Sequence, residues 1–154
     1  MQLPDEWREK LVGELRNAAR MMRAARDPAD KLFFFSASFG ETGRILNYHW
    51  DCDVVLMHVV LQTAYNTINQ RIQLTASGSD RAVKLPAEFY DALTKTVEDL
   101  AEVVATMQAS ARRKDVSSIP DVLARMAELS YMSTGNGYYL YTKGALTPGG
   151  LSGP

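Results

Sequence analysis

Apolar residues recur at alternating intervals of four and three along most of this chain, the spacing that lays side chains on one face of an α-helix. The first such segment runs from about Pro4 to Arg26, with Leu11, Leu15, Ala18, Met22 and Ala25 on one seam. Arg8, Glu14, Arg16, Arg20 and Arg23 largely fill its other faces. Asp27-Pro28 ends it, because the proline ring disfavours helical geometry in the residue before it. Pro28 can equally open the next element, with Asp27 as cap and Asp30 in the first turn. That element leads into Leu32-Phe33-Phe34-Phe35 and reads as a short helix or buried connector. Three adjacent phenylalanines face several directions, so the segment is expected to be covered on more than one side.

Ser38 and Glu41 have the spacing of a capping box, in which a hydroxyl and a carboxylate satisfy each other's free amides. A long helix is therefore expected from about Ser38 to Leu74, with Trp50, Val54, Met57, Leu61, Tyr65, Ile68 and Ile72 as its seam. Thr75 to Asp80 reads as a loop. After Pro86 the pattern is cleanest: Tyr90, Leu93, Val97, Leu100, Val104, Met107 and Ala111 keep the alternation unbroken, with Asp91, Lys95, Glu98 and Glu102 opposite. Ser118-Ile119-Pro120-Asp121 caps a last helix with Ile119, Val122, Met126 and Leu129 inward. Small residues follow, then Tyr138, Tyr139 and Tyr141, a packed helix end or a ligand rim.

Four long helices and no strand-like alternation predict an all-α fold, an antiparallel four-helix bundle with a short extra helix or connector between the first and second long helices. Residues 1–146 form one domain in this reading, and 147–154 a flexible C-terminal tail. The length of 154 residues supports one core, burying roughly 70% of the unfolded chain's surface.

Charge narrows the partners. Seventeen Lys and Arg against eighteen Asp and Glu give a net charge of −1, so no overall field draws the protein to nucleic acid or anionic lipid. Arg112-Arg113-Lys114 is the best local basic patch, though cations also suit the last turn of a helix. Val54 to Gln70 is uncharged but is interrupted by His58, Gln62, Asn66 and Asn69, which makes it a poor membrane span. The acidic N-terminus lacks a secretory pattern, and one cysteine permits no internal disulfide. A cytoplasmic protein is expected.

Little in the chain points to chemistry. His49 and His58 are nine residues apart, so on one straight helix of about 100° per residue they face opposite ways and share no metal. His49 and Asp53 offer two ligands where a site needs three or four. Arg44 and His49 have the Arg-x4-His spacing that resembles the catalytic motif of the HEPN family of helical ribonucleases; the likeness covers six residues, and Ile45 stands where that family carries a polar side chain. Cys52 lies between Asp51 and Asp53, which weaken it as a nucleophile, so a buried structural cysteine is expected. No phosphate-binding glycine loop is present.

The second long helix carries a different signal. His58, Gln62, Asn66, Asn69 and Gln73 recur at spacings of four, four, three and four, and no Asp, Glu, Lys or Arg lies between Asp53 and Arg71. A solvated helix face ordinarily uses Lys and Glu. The stripe therefore points to a helix covered on nearly all sides, its amides paired across a homo-oligomer interface or lining a polar pocket for a small-molecule ligand. A water-facing amide stripe stays open as the alternative.

The run from Phe39 to Val60, FGETGRILNYHWDCDVVLMHVV, together with chain length and helix plan, resembles a small uncharacterised archaeal family of helical bundles. That family's fold is similar to the PduO-type cobalamin adenosyltransferases, trimeric bundles that bind ATP between subunits. The resemblance implies an oligomer with buried helix faces. It carries no active-site residue across: Gly40-Glu41-Thr42-Gly43-Arg44 lacks the enzymes' phosphate-holding loop, and Arg112-Arg113-Lys114-Asp115 lacks their arginine-glutamate pattern. Cofactor and substrate stay open, and three function classes follow: a noncatalytic oligomeric bundle binding a partner or small ligand, an adenosyltransferase-like enzyme, and a HEPN-like ribonuclease.

Overall fold

A computed structural model describes residues 1–78, 84–107 and 118–134, and within them the chain is helical with no strand. Five helices follow one another: α1 Asp5–Ala24, α2 Pro28–Leu46, α3 Cys52–Ala76, α4 Ala87–Thr106 and α5 Ile119–Ser133. The all-α expectation holds, but the four-helix plan becomes five. The segment read as a short helix or connector is a helix of 19 residues.

The reason lies at the caps. Asp27 has extended geometry and its carboxylate accepts the amide of Ala29 at 2.7 Å, with Pro28 already in the first turn, so α2 starts there and not at Ser38. Ser38 is buried mid-helix, its hydroxyl donating to Phe35 O at 2.6 Å, and the supposed box with Glu41 is absent. Asp51 provides the cap that the sequence reading missed: its carboxylate accepts the Val54 amide at 3.0 Å and the Gln2 amide at 2.6 Å. The expected helix from Ser38 to Leu74 is thereby cut at Asn47–Asp51. Trp50, placed on the inner seam by periodicity, stands in that break and is 80% exposed.

The phenylalanine run also differs from expectation. On one continuous helix, successive residues turn by about 100°; Phe35 is fully buried, Phe34 half-buried and Phe33 69% exposed.

The remaining elements follow the pattern closely. Leu11, Leu15 and Met22 of α1 meet Phe35 and Ile45 of α2, Val54, Met57, Leu61 and Ile68 of α3, the Phe89–Val104 seam of α4 and Ile119, Val122 and Met126 of α5 in one core. Ser118 and Asp121 close the expected box at the start of α5, with the Ser118 amide donating to the Asp121 carboxylate at 3.0 Å.

Around that core, α1 packs on α2 and α4, α2 on α3, α3 on α5 and α5 on α4, with a smaller contact between α2 and α4. Directions can be read from single contacts. Trp7 at the start of α1 stacks on Tyr48 just beyond the end of α2, and Arg8 reaches Ala105 O near the end of α4. Arg71 near the end of α3, by contrast, donates to Ser133 O at the end of α5, so these two neighbours run the same way. A ring of five cannot alternate throughout, and α3 and α5 are where the alternation fails.

Candidate interface on the third helix

α3 has two seams, and the fold covers one of them. Val54, Met57, Leu61, Ala64 and Ile68 are all fully buried. On the far side Cys52, Leu56, Val59, Thr63, Asn66, Gln70 and Gln73 are exposed, at spacings of four and three that alternate without a break. That spacing is common to every helix face; what sets this one apart is that it carries no charged side chain. Leu56 is 43% and Val59 54% exposed, and Tyr48 and Trp50, just before the helix, are 71% and 80% exposed.

The stripe singled out from sequence is divided by this geometry. Gln62, Asn66 and Gln73 are exposed, whereas His58 and Asn69 are half-buried, His58 against α2. Cys52, expected to be buried, is exposed as the first residue of α3. Sequence spacing missed the run Cys52-Leu56-Val59-Thr63 because its residue types differ; only a fixed inner face shows that they share the outer one.

His58 is held rather than presented. Its Nδ1 lies 3.0 Å from Thr42 Oγ1 and 3.1 Å from Phe39 O, while the Thr42 hydroxyl donates to that same carbonyl at 2.8 Å. With the Thr42 proton so used, both neighbours of Nδ1 are acceptors, and this assigns the ring proton to Nδ1. Gly43 makes room for the ring: a Cβ there would stand 3.0 Å from His58 Cε1. His58 therefore ties α3 to α2.

The two residues of the ribonuclease-like spacing each have a partner of their own. Arg44 Nη1 lies 2.9 Å from Glu41 Oε2, a charge contact without the angle of a hydrogen bond, so that buried carboxylate oxygen has no hydrogen-bond donor. His49 turns its ring edge to Trp7 at 5.1 Å between centroids. Among the described residues no group of three or more His, Cys, Asp or Glu could hold a metal, and no helix is long and apolar enough to cross a membrane. The tyrosine cluster, Arg112-Arg113-Lys114 and the 147–154 tail lie outside the described residues.

Charge is absent from more than α3. From Leu32 to Trp50 the chain has two charged side chains, Glu41, which is buried, and Arg44. Outward of α2 stand Phe33, Gly40 and the half-buried Ser36 and Ala37. A concave feature lies elsewhere: an open groove of about 440 Å³ between α1 and α4, lined by Arg16, Arg20, Arg23, Glu98 and Glu102 over Ala19 and Ala24. Its carboxylates already neutralise two of its arginines, Arg16 and Arg23.

No family model, curated protein or solved structure matches this chain.

Proposed function

We propose that this protein is a noncatalytic, homo-oligomeric helical bundle that associates through the outer face of α3. The observation that carries this reading is the outer face: seven exposed positions from Cys52 to Gln73, without a charged residue and with Leu56 and Val59 about half uncovered. Water-facing helix positions ordinarily carry Lys and Glu, whereas this face carries neither and opens with exposed apolar side chains. The side chains best suited to chemistry, Arg44, His49 and His58, are committed to Glu41, Trp7 and the α2 backbone respectively.

Magnitudes suggest a modest affinity. Covering a half-exposed Leu or Val gains on the order of 1 kcal/mol, so four from two copies give about 4 kcal/mol, near the lower bound of about 4 kcal/mol for lost rigid-body freedom. Tyr48 and Trp50, at the end of the stripe, are the large side chains available to add to it.

Sedimentation velocity at micromolar concentration tests the reading. The wild-type chain is expected to sediment as an oligomer, and Val59→Lys as a monomer with unchanged helical content, because Val59 contributes little to the core. A wild-type chain that stays monomeric throughout the micromolar range refutes it.

A further inference from the structure

We infer that the second copy on the α3 face is related by a twofold axis running along α3, so that the two α3 helices lie side by side in the same direction. This rests on the self-association reading above and adds its geometry. A twofold interface sets a surface patch against itself. Any charge near the axis would meet its like, and this stripe carries none from Cys52 to Gln73 apart from Asp53 and Arg71 on its flanks, both half-buried.

The stripe changes character along its length. Cys52, Leu56 and Val59 occupy the N-terminal end, Thr63 the middle, and Asn66, Gln70 and Gln73 the C-terminal end. An axis along the helix places every level against its own copy. Apolar side chains then meet apolar ones, and each carboxamide, both donor and acceptor, meets an identical carboxamide.

An axis across the helix at Thr63 instead sets Leu56 against Gln70 and Val59 close to Asn66. Each amide so buried without a partner costs about 1–3 kcal/mol. An axis across the helix between Leu56 and Val59 avoids this mismatch, but leaves the amide half uncovered. It also places Cys52 opposite Thr63, parting the two cysteines by about 16 Å of helix rise. A disulfide needs Cα atoms within about 7 Å. Of these three arrangements only the lengthwise axis brings Cys52 to Cys52, and an axis across the helix at Cys52 would part the Gln73 positions instead.

Cys52 is the single cysteine of the chain and is exposed, so oxidation reads the geometry directly. With diamide, two Cys52 thiols give up two protons and two electrons, an S–S bond forms between copies, and the diazene is reduced to its hydrazine. The expected result is a covalent dimer, reversed by dithiothreitol, that forms about tenfold or more faster than from Cys52→Ser/Ala124→Cys, whose thiol lies on the outer face of α5. Cys52→Ser/Gln73→Cys is expected to cross-link as readily as wild type, since the same axis brings the far ends of the stripe together. Sedimentation separates the two ideas. An oligomer that cross-links at neither position overturns the lengthwise axis and leaves self-association standing. A monomer with freely reactive Cys52 overturns both. A monomer whose Cys52 is shielded from thiol reagents places a segment of the same chain on the face, and overturns both as well.

Discussion

The outer seam between α1 and α4 and the outer face of α3 are both solvent-exposed, yet they are built from different residues. Along the first, Arg16 spans to Glu102 with two hydrogen bonds of 3.1 and 2.9 Å, and Arg23 to Glu98 with two of 2.9 and 2.7 Å. Charges on one helix find opposite charges on the next, and the surface is closed within the chain. Along the second, Gln62, Asn66, Gln70 and Gln73 find no side-chain hydrogen-bond partner among the described residues, and Leu56 and Val59 stand between them and the helix start. The contrast teaches that exposure has two meanings here. One surface has its polar groups satisfied in the isolated chain, and the other leaves both its apolar area and its amide groups to something outside it.

The sharpest way to break the comparison uses the two seams of α3 itself. Leu61→Ala, on the inner seam, is expected to cost about 3 kcal/mol of stability by removing buried methyl groups and leaving a cavity. Val59→Ala, two residues away on the outer seam, is expected to change the stability of the isolated chain by less than about 0.5 kcal/mol. Denaturant titration of both variants under dissociating conditions checks this; equal losses would mean that Val59 belongs to the core.

A smaller effect concerns where α3 begins. Asp51→Ala removes the acceptor for the Val54 and Gln2 amides and is expected to cost about 1 kcal/mol. Hydrogen exchange in the first turn of α3 should speed up, while exchange near Gln73 stays unchanged.

The smallest effect is expected on the charged side. Burial pushes the Asp99 carboxyl up, but hydrogen bonds and charges from Lys95 and Arg125 outweigh it and hold the group below its ordinary value. Its folded-state value therefore lies below the unfolded one, and its contribution is complete above about pH 4 and lost as pH falls through the folded value. Asp99→Asn should cost less than about 1 kcal/mol at neutral pH, less still in high salt, and nothing at a pH where both states are protonated. A penalty that persists in acid would show that packing, and not charge, holds Asp99.

How much was legible in advance varies from helix to helix. α1 and α4 could be read from spacing, because their outer faces are strongly charged and their apolar seams uninterrupted, and α5 from its seam together with the Ser118–Asp121 cap. The α2–α3 region was misread for a specific physical reason. Ser38 and Glu41 have the spacing of a cap, but a cap needs extended geometry at its first residue, and there the chain is already helical. The true cap, Asp51, carries no acidic or amide partner three residues on, so nothing in the local pattern marks it. Of the stripe picked out by residue type, His58 proved to bond α2 and Asn69 to be half-buried, while Leu56 and Val59, ordinary core residues by type, proved to face out.

By itself the sequence determined that the chain is helical, where three of its helices run, and that one long stretch lacks charge, since periodicity and composition are local properties. Only the tertiary structure decided that the long central segment is two helices, that α3 and α5 run in parallel, and that Leu56 and Val59 are left uncovered by the rest of the chain. Those outcomes depend on the backbone geometry at Asn47–Asp51 and on which neighbours reach each helix, and neither is a property of the local repeat.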